Sequence, residues 1–318
     1  YLEHHRGLTH SFLGLALLAV ALTALLVFLD RVVRLRRDPF RRPIRPVRIM
    51  ALAFLGGLGH LFMDFTNSYG VRPFLPFSSR WFYGDLAFVV DPWIWLILGS
   101  TAAWLTMKDA ARATFWIALG AGASLLIALA FREPTQDFPV AIPVITRVIW
   151  FIGLAVVVTG ALRGWARGGA RLAQLSLLVL SIYYAGMWFA HQTAVQGAST
   201  APPADGAGLI AAWPTPANPF MWQTVASADR SIYSRYMNLL SPEGEWSELS
   251  ALDPKFTDAL RRDERARVFL SFTRYASARV DEHSDGARIT LRDLRFNLQM
   301  VAELDSNSDV RSAVVGWF

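Results

Sequence analysis

Six apolar stretches, near residues 11–29, 47–64, 87–107, 113–131, 142–162 and 172–191, dominate the first three fifths of the sequence. Each is about 20 residues long, enough for an α-helix to cross about 30 Å of hydrocarbon. In lipid every backbone polar group needs a partner within its own segment, so helices are what such stretches dictate. The expected fold is a polytopic α-helical membrane domain of about six transmembrane helices over residues 1–192, followed by a small extracytoplasmic α+β domain with an antiparallel sheet.

Charge sets the expected orientation. The connection 30–48 carries Arg31, Arg34, Arg36, Arg37, Arg41, Arg42, Arg45 and Arg48, a density that marks a cytoplasmic loop. Lys108 and Arg112 follow the third stretch, and Arg163, Arg167 and Arg171 the fifth, on the same side. Six crossings then leave the chain after His191 outside. Residues 1–192 hold 18 Lys/Arg against 9 Asp/Glu, and the remainder 13 against 16. The basic excess thus belongs to membrane topology, and no nucleic-acid partner is expected. Cysteine is absent, which excludes disulfides and thiolate metal sites.

Pro202, Pro203, Pro214, Pro216 and Pro219 with Gly206 and Gly208 make 193–219 a linker, too broken for helix or central strand from residue 198 on. In 220–318, strands are expected at Phe220–Val225, Ser231–Leu239, Val268–Val280 and Ala287–Phe296, with a hairpin turn at Ser284-Asp285-Gly286 and a short helix near Lys255–Arg262. This outer domain supplies no plausible ligand set, and its protein partner is unidentified.

On this topology His5, His10, His60, Asp64, Asp85, Asp91 and His191 all fall at the outer ends of helices or in outer loops. His60 and Asp64 are i, i+4 on one helix and share a face. Imidazole and carboxylate are the usual ligands of zinc and similar divalent ions. Gly56, Gly57 and Gly59 offer a small face against which a helix with Gly14, Ala16 and Ala19 can pack, bringing the two ligand pairs together. The competing reading is interfacial helix caps. His4 points elsewhere on a helix, His191 reads as structural and His283 as solvated.

Beside Asp64, the loop 66–80 contains Arg72 and Arg80, placed to clamp a phosphate with Arg6 joining them, or else to bind headgroups non-specifically or pair with Asp85. Asp91, before Pro92, is a helix N-cap or a general base. Trp81, Phe82, Tyr83, Trp93 and Trp95 form an aromatic belt, as anchors or as contacts for a lipid.

His5-Arg6-Gly7-Leu8-Thr9-His10-Ser11, His60-x-x-x-Asp64, Tyr69-Gly70, Pro76-Phe77-Ser78 and Asp91-Pro92 together resemble the YdjM-like family of inner-membrane, metal-dependent hydrolases. The resemblance covers roughly the first 95 residues. It implies metal-ligand roles for His5, His10, His60 and Asp64, a phospholipase-like activity, and a bacterial or archaeal cytoplasmic membrane. Family members carry a further upstream segment with a His and a Pro-Asp-x-Asp-like string. The sequence starts at Tyr1 and reads as the interior of a longer product.

The leading expectation is a hydrolase using one or two divalent ions, zinc first, on an ester or phosphoester of a membrane lipid, with Arg72, Arg80 and Asp91 as catalytic residues. A transporter or scaffold is the non-enzymatic alternative. A di-iron desaturase needs more histidines than the six present, and no His-Glu-x-x-His string supports a metalloprotease.

Overall fold

The computed structural model describes residues 6–315 apart from 39, 131, 135–139, 166–168, 229–230, 242–243, 297 and 306–308. Among these residues, five helices are long and apolar enough to cross a membrane: Phe12–Arg37, Pro46–Thr66, Ala110–Leu129, Val144–Leu162 and Ala170–Thr200. They make this a multi-pass membrane protein. The stretch expected at 87–107 is helical only over 92–106, with a π-turn at Trp95–Gly99. Fifteen residues rise about 22 Å, short of the hydrocarbon thickness. Local chemistry sets these bounds, because Asp91-Pro92 starts the helix and Asp109 caps the next one by accepting from Arg112 N–H. Helices are named α1 (Phe12–Arg37), α2 (Pro46–Thr66), α3 (92–106), α4 (Ala110–Leu129), α5 (Val144–Leu162) and α6 (Ala170–Thr200).

The chain divides into two compact units, the first comprising Tyr1–Asp85 with Arg267–Thr273 and the second the remainder. In the first, Ser11 caps α1 by accepting from Gly14 N–H at 3.0 Å, and its own hydroxyl donates to Leu8 O at 2.7 Å. Leu15 of α1, Leu61 of α2 and Val71 form a buried cluster. The expected glycine face is only partly used. A Cβ on Gly57 would lie 2.8 Å from the Leu15 side chain, so that glycine lets α1 approach, whereas Gly56 and Gly59 face open space. Gly14 lies against the Leu8 carbonyl instead. At the other end of α1, the buried Asp30 pairs with Arg34 at 2.6 Å and accepts from Ile44 N–H at 2.9 Å, tying down the arginine-rich turn.

The loop after α2 is pinned to the helix ends. Val71 and Phe82 form an antiparallel bridge, Phe12 N–H donates to Pro73 O at 2.9 Å and Gly84 N–H to Phe65 O at 2.7 Å. Phe272, from the distant segment of this unit, packs its ring on Tyr69 and Trp81 with centroids 5.9 and 6.2 Å away.

In the second unit, side-chain bonds to backbone join the helices. Trp104 Nε1 donates to Val157 O at 2.7 Å and the Ser176 hydroxyl to Ile97 O at 3.0 Å. Four antiparallel strands, β1 (Gly208–Thr215), β2 (Asn218–Ala228), β3 (Ser231–Asn238) and β4 (Ser247–Ser250), form one sheet in sequential order. Met187 and Ala194 of α6 share a core with Ala212, Trp222 and Met237 of this sheet. This corrects the expected linker. α6 continues to Thr200, and β1 is an edge strand whose Pro214 sits beside a register shift, where a missing N–H is tolerated.

α7 (Pro254–Arg262) lies where the short helix was expected, and α8 (Glu264–Phe272) occupies the start of the run expected as strand at 268–280. Ala266, Phe269 and Phe272 recur every three residues and are all buried, a helical period that overrides the β-favouring residues around them. β5 (Ala276–His283), β6 (Gly286–Asp293), β7 (Gln299–Asp305) and β8 (Val310–Val315) form a second antiparallel sheet. His283 pairs with Gly286 across the expected hairpin turn.

Candidate metal centre

Three of the four expected ligands converge. A short 3-10 turn at Leu8–His10 precedes α1 and presents His10, while the last turns of α2 present His60 and Asp64. His10 Nε2 and His60 Nε2 are 3.3 Å apart, and each lies 3.5 Å from Asp64 Oδ2. Ligands about 2.05 Å from a tetrahedral zinc ion are separated by about 3.3 Å, so these spacings are those of one tetrahedral face. His5, with His4, lies outside the described residues, as does Arg167.

Asp64 Oδ2 is buried and accepts no hydrogen bond among the described residues. A buried anionic oxygen without a donor is costly, and a cation held among the three atoms would supply its partner. Thr9 Oγ1 lies 3.0 Å from His10 Nδ1, so the ring turns Nε2 inward, the outer-shell contact usual for a ligating imidazole. Burial, opposed by Asp64 and aided by His60 and Arg6, pushes the His10 imidazole below its ordinary 6.5, toward the neutral form that ligates. His60 stays open, with 62% of its side chain exposed. His10, His60 and Asp64 thus form a group able to hold a metal ion.

Arg6 departs from the expected phosphate clamp. Its guanidinium pairs with Asp64 Oδ1 at 3.0 Å and also donates to the carbonyls of Asp64 and Gly70 and to Asn67 Oδ1. Arg72 and Arg80 remain on the loop, stacked over Trp81 at 4.6 Å and Phe82 at 5.3 Å. Asp91, in the second unit, is the N-cap. It accepts from Trp93 and Ile94 N–H at 2.9 and 3.1 Å and from the Tyr183 hydroxyl at 2.6 Å. His191 packs its ring on Trp222 at 5.7 Å, and His283 is exposed.

Residues 1–135, which carry the ligand group, match the YdjM inner membrane protein family. Over these residues the chain is similar to that family. The YdjM region ends where the second unit is still adding helices, and residues 255–318 match a different description, the YfhP C-terminal alpha/beta plait domain. No curated protein and no solved structure matches the chain. Within the YdjM motif, the sequence marked His10, His60 and Asp64, but gave no sign that Arg6, Thr9, Asn67 and Tyr69 brace them. The one available signal was position, since Arg6 and Thr9 stand within the same short string as His10.

Proposed function

We propose that the chain is a membrane-bound, metal-dependent hydrolase that cleaves an ester or phosphoester bond of a lipid at the outer leaflet. The carrying observation is the set of three ligand atoms at tetrahedral spacing around an undonated carboxylate oxygen. Two imidazoles and one carboxylate suit zinc, and three protein ligands leave a fourth position for water or substrate. A bound ion of this kind lowers the pKa of water and polarises the bond to be cleaved.

The chain's own residues do the rest. His10, His60 and Asp64 hold the ion, and the exposed edge of His60 is where a lipid headgroup meets the site. Arg72 and Arg80 stack a guanidinium face on an aromatic ring, and in this reading their N–H groups bind the anionic group of the lipid. Asp91 serves as a helix cap and is assigned no chemistry.

Elemental analysis of the purified protein combined with phospholipid turnover tests this. Stoichiometric metal is expected, and His60→Ala should lose both metal and turnover. Arg72→Ala and Arg80→Ala should keep the metal and lose about 100-fold or more in turnover of anionic lipids, the scale seen when a donor to a developing oxyanion is removed. Fully active arginine variants together with a folded, metal-loaded His60→Ala protein would overturn the hydrolase in favour of a transport or scaffolding role.

A further inference from the structure

Arg6 stands beside the ligand group and cannot itself ligate, because a guanidinium keeps its proton at any physiological pH. Four acceptors surround it: Asp64 Oδ1, Asp64 O and Asn67 Oδ1 at 3.0 Å each, and Gly70 O at 2.8 Å. One face lies over the Tyr69 ring at 5.1 Å, and only 9% of the side chain is exposed. Its backbone is left-handed, with φ of 47°, a conformation that persists off glycine only where the surroundings over-determine it. The consequence falls on Asp64. One carboxylate oxygen is paired with Arg6 Nη2, and the other is left facing two imidazoles with no donor among the described residues.

We propose that Arg6 is the positioning residue of the metal site: by occupying Asp64 Oδ1 it makes the carboxylate a one-oxygen ligand, offering Oδ2 alone to the ion shared with His10 and His60. This rests on the metal-centre reading above. Two effects follow. A carboxylate free to turn binds through both oxygens and uses up the coordination position that a catalytic site keeps open. The guanidinium also cancels the carboxylate charge, so the loaded site keeps the ion's full double charge and its strength as a Lewis acid.

Cobalt(II) is the probe, since its visible absorption is intense in tetrahedral sites and weak at higher coordination number. Purified full-length protein should bind a single Co2+ with the intense spectrum. Arg6→Met removes the fork while keeping an unbranched side chain. It should raise the Co2+ Kd about 10- to 100-fold, the cost of losing an outer-shell partner, and weaken the visible bands as Asp64 turns to bind through both oxygens. Arg6→Lys keeps the charge without the fork and should show the same spectral change with a smaller rise in Kd.

Circular dichroism checks folding. Should Arg6→Met not fold, Tyr69→Leu leaves Arg6 and the ligands in place and should raise the Kd about 2- to 5-fold. Wild-type affinity and spectrum in the folded Arg6 variants, with Co2+ lost in Asp64→Asn, would overturn the positioning role and leave the site standing. Failure of the wild-type protein to bind Co2+ would overturn both.

Discussion

Within the candidate metal group, His10 is the residue whose surroundings constrain it most. Burial holds its imidazole below 6.5 in the folded protein, with His60 and Arg6 acting in the same direction and Asp64 against them. Between the folded value and 6.5 the unfolded chain binds more protons, so stability rises with pH across that window and is complete above it. The metal-free protein should therefore melt at lower temperature as pH falls below about 6.5, and His10→Gln should flatten that slope. Thermal unfolding in detergent across pH 5–7.5, read for both proteins, checks it. The group of His10, His60 and Asp64 was legible because imidazole and carboxylate at the ends of apolar helices have few uses. Arg6 was not, because its partners are a carboxylate 58 residues away and main-chain carbonyls, which a sequence does not display.

Among the elements, two kinds of glycine behave oppositely. Gly70 has φ of +75°, and a Cβ there would lie 2.4 Å from the Tyr83 ring, while its carbonyl accepts from Arg6. Gly70→Ala should cost about 1–2 kcal/mol from the left-handed backbone alone, and trypsin should then cleave faster after Arg80, Arg72 being shielded by the following Pro73. Gly59→Ala fills open space on α2 and should stabilise that helix by about 0.5–1 kcal/mol. Comparing the melting and proteolysis of the two variants separates a required glycine from an incidental one. The membrane helices were readable from length and apolarity, except where Asp91-Pro92 and Asp109 clip α3. β1 hid behind its prolines because edge-strand tolerance depends on tertiary pairing. α8 hid because Val268, Phe269 and Phe272 favour strands locally, and only the burial of Ala266, Phe269 and Phe272 at every third residue reveals a helix.

For the molecule as a whole, orientation is the open quantity that the proposed substrate depends on. The chain has no cysteine, so any introduced thiol reports a single place. Thiols placed near Asp38, within the arginine-rich turn, should react with a membrane-impermeant reagent only after permeabilisation, and thiols near Ser284 in intact cells. The reverse pattern would put the site at the cytoplasmic face and remove the outer-leaflet substrate. The first unit is also discontinuous along the chain, since Phe272 completes the aromatic wall around Tyr69 and Trp81. His10 and His60 are only 50 residues apart and meet through one helical hairpin, a short loop to close. The contact from Phe272 back to Trp81 closes a loop of roughly 190 residues, costlier in chain entropy and dependent on everything synthesised between. Ribosomal order thus builds the hairpin of His10, His60 and Asp64 first and its wall last, so a nascent chain holds these three side chains together well before the loop beside them acquires its final cover.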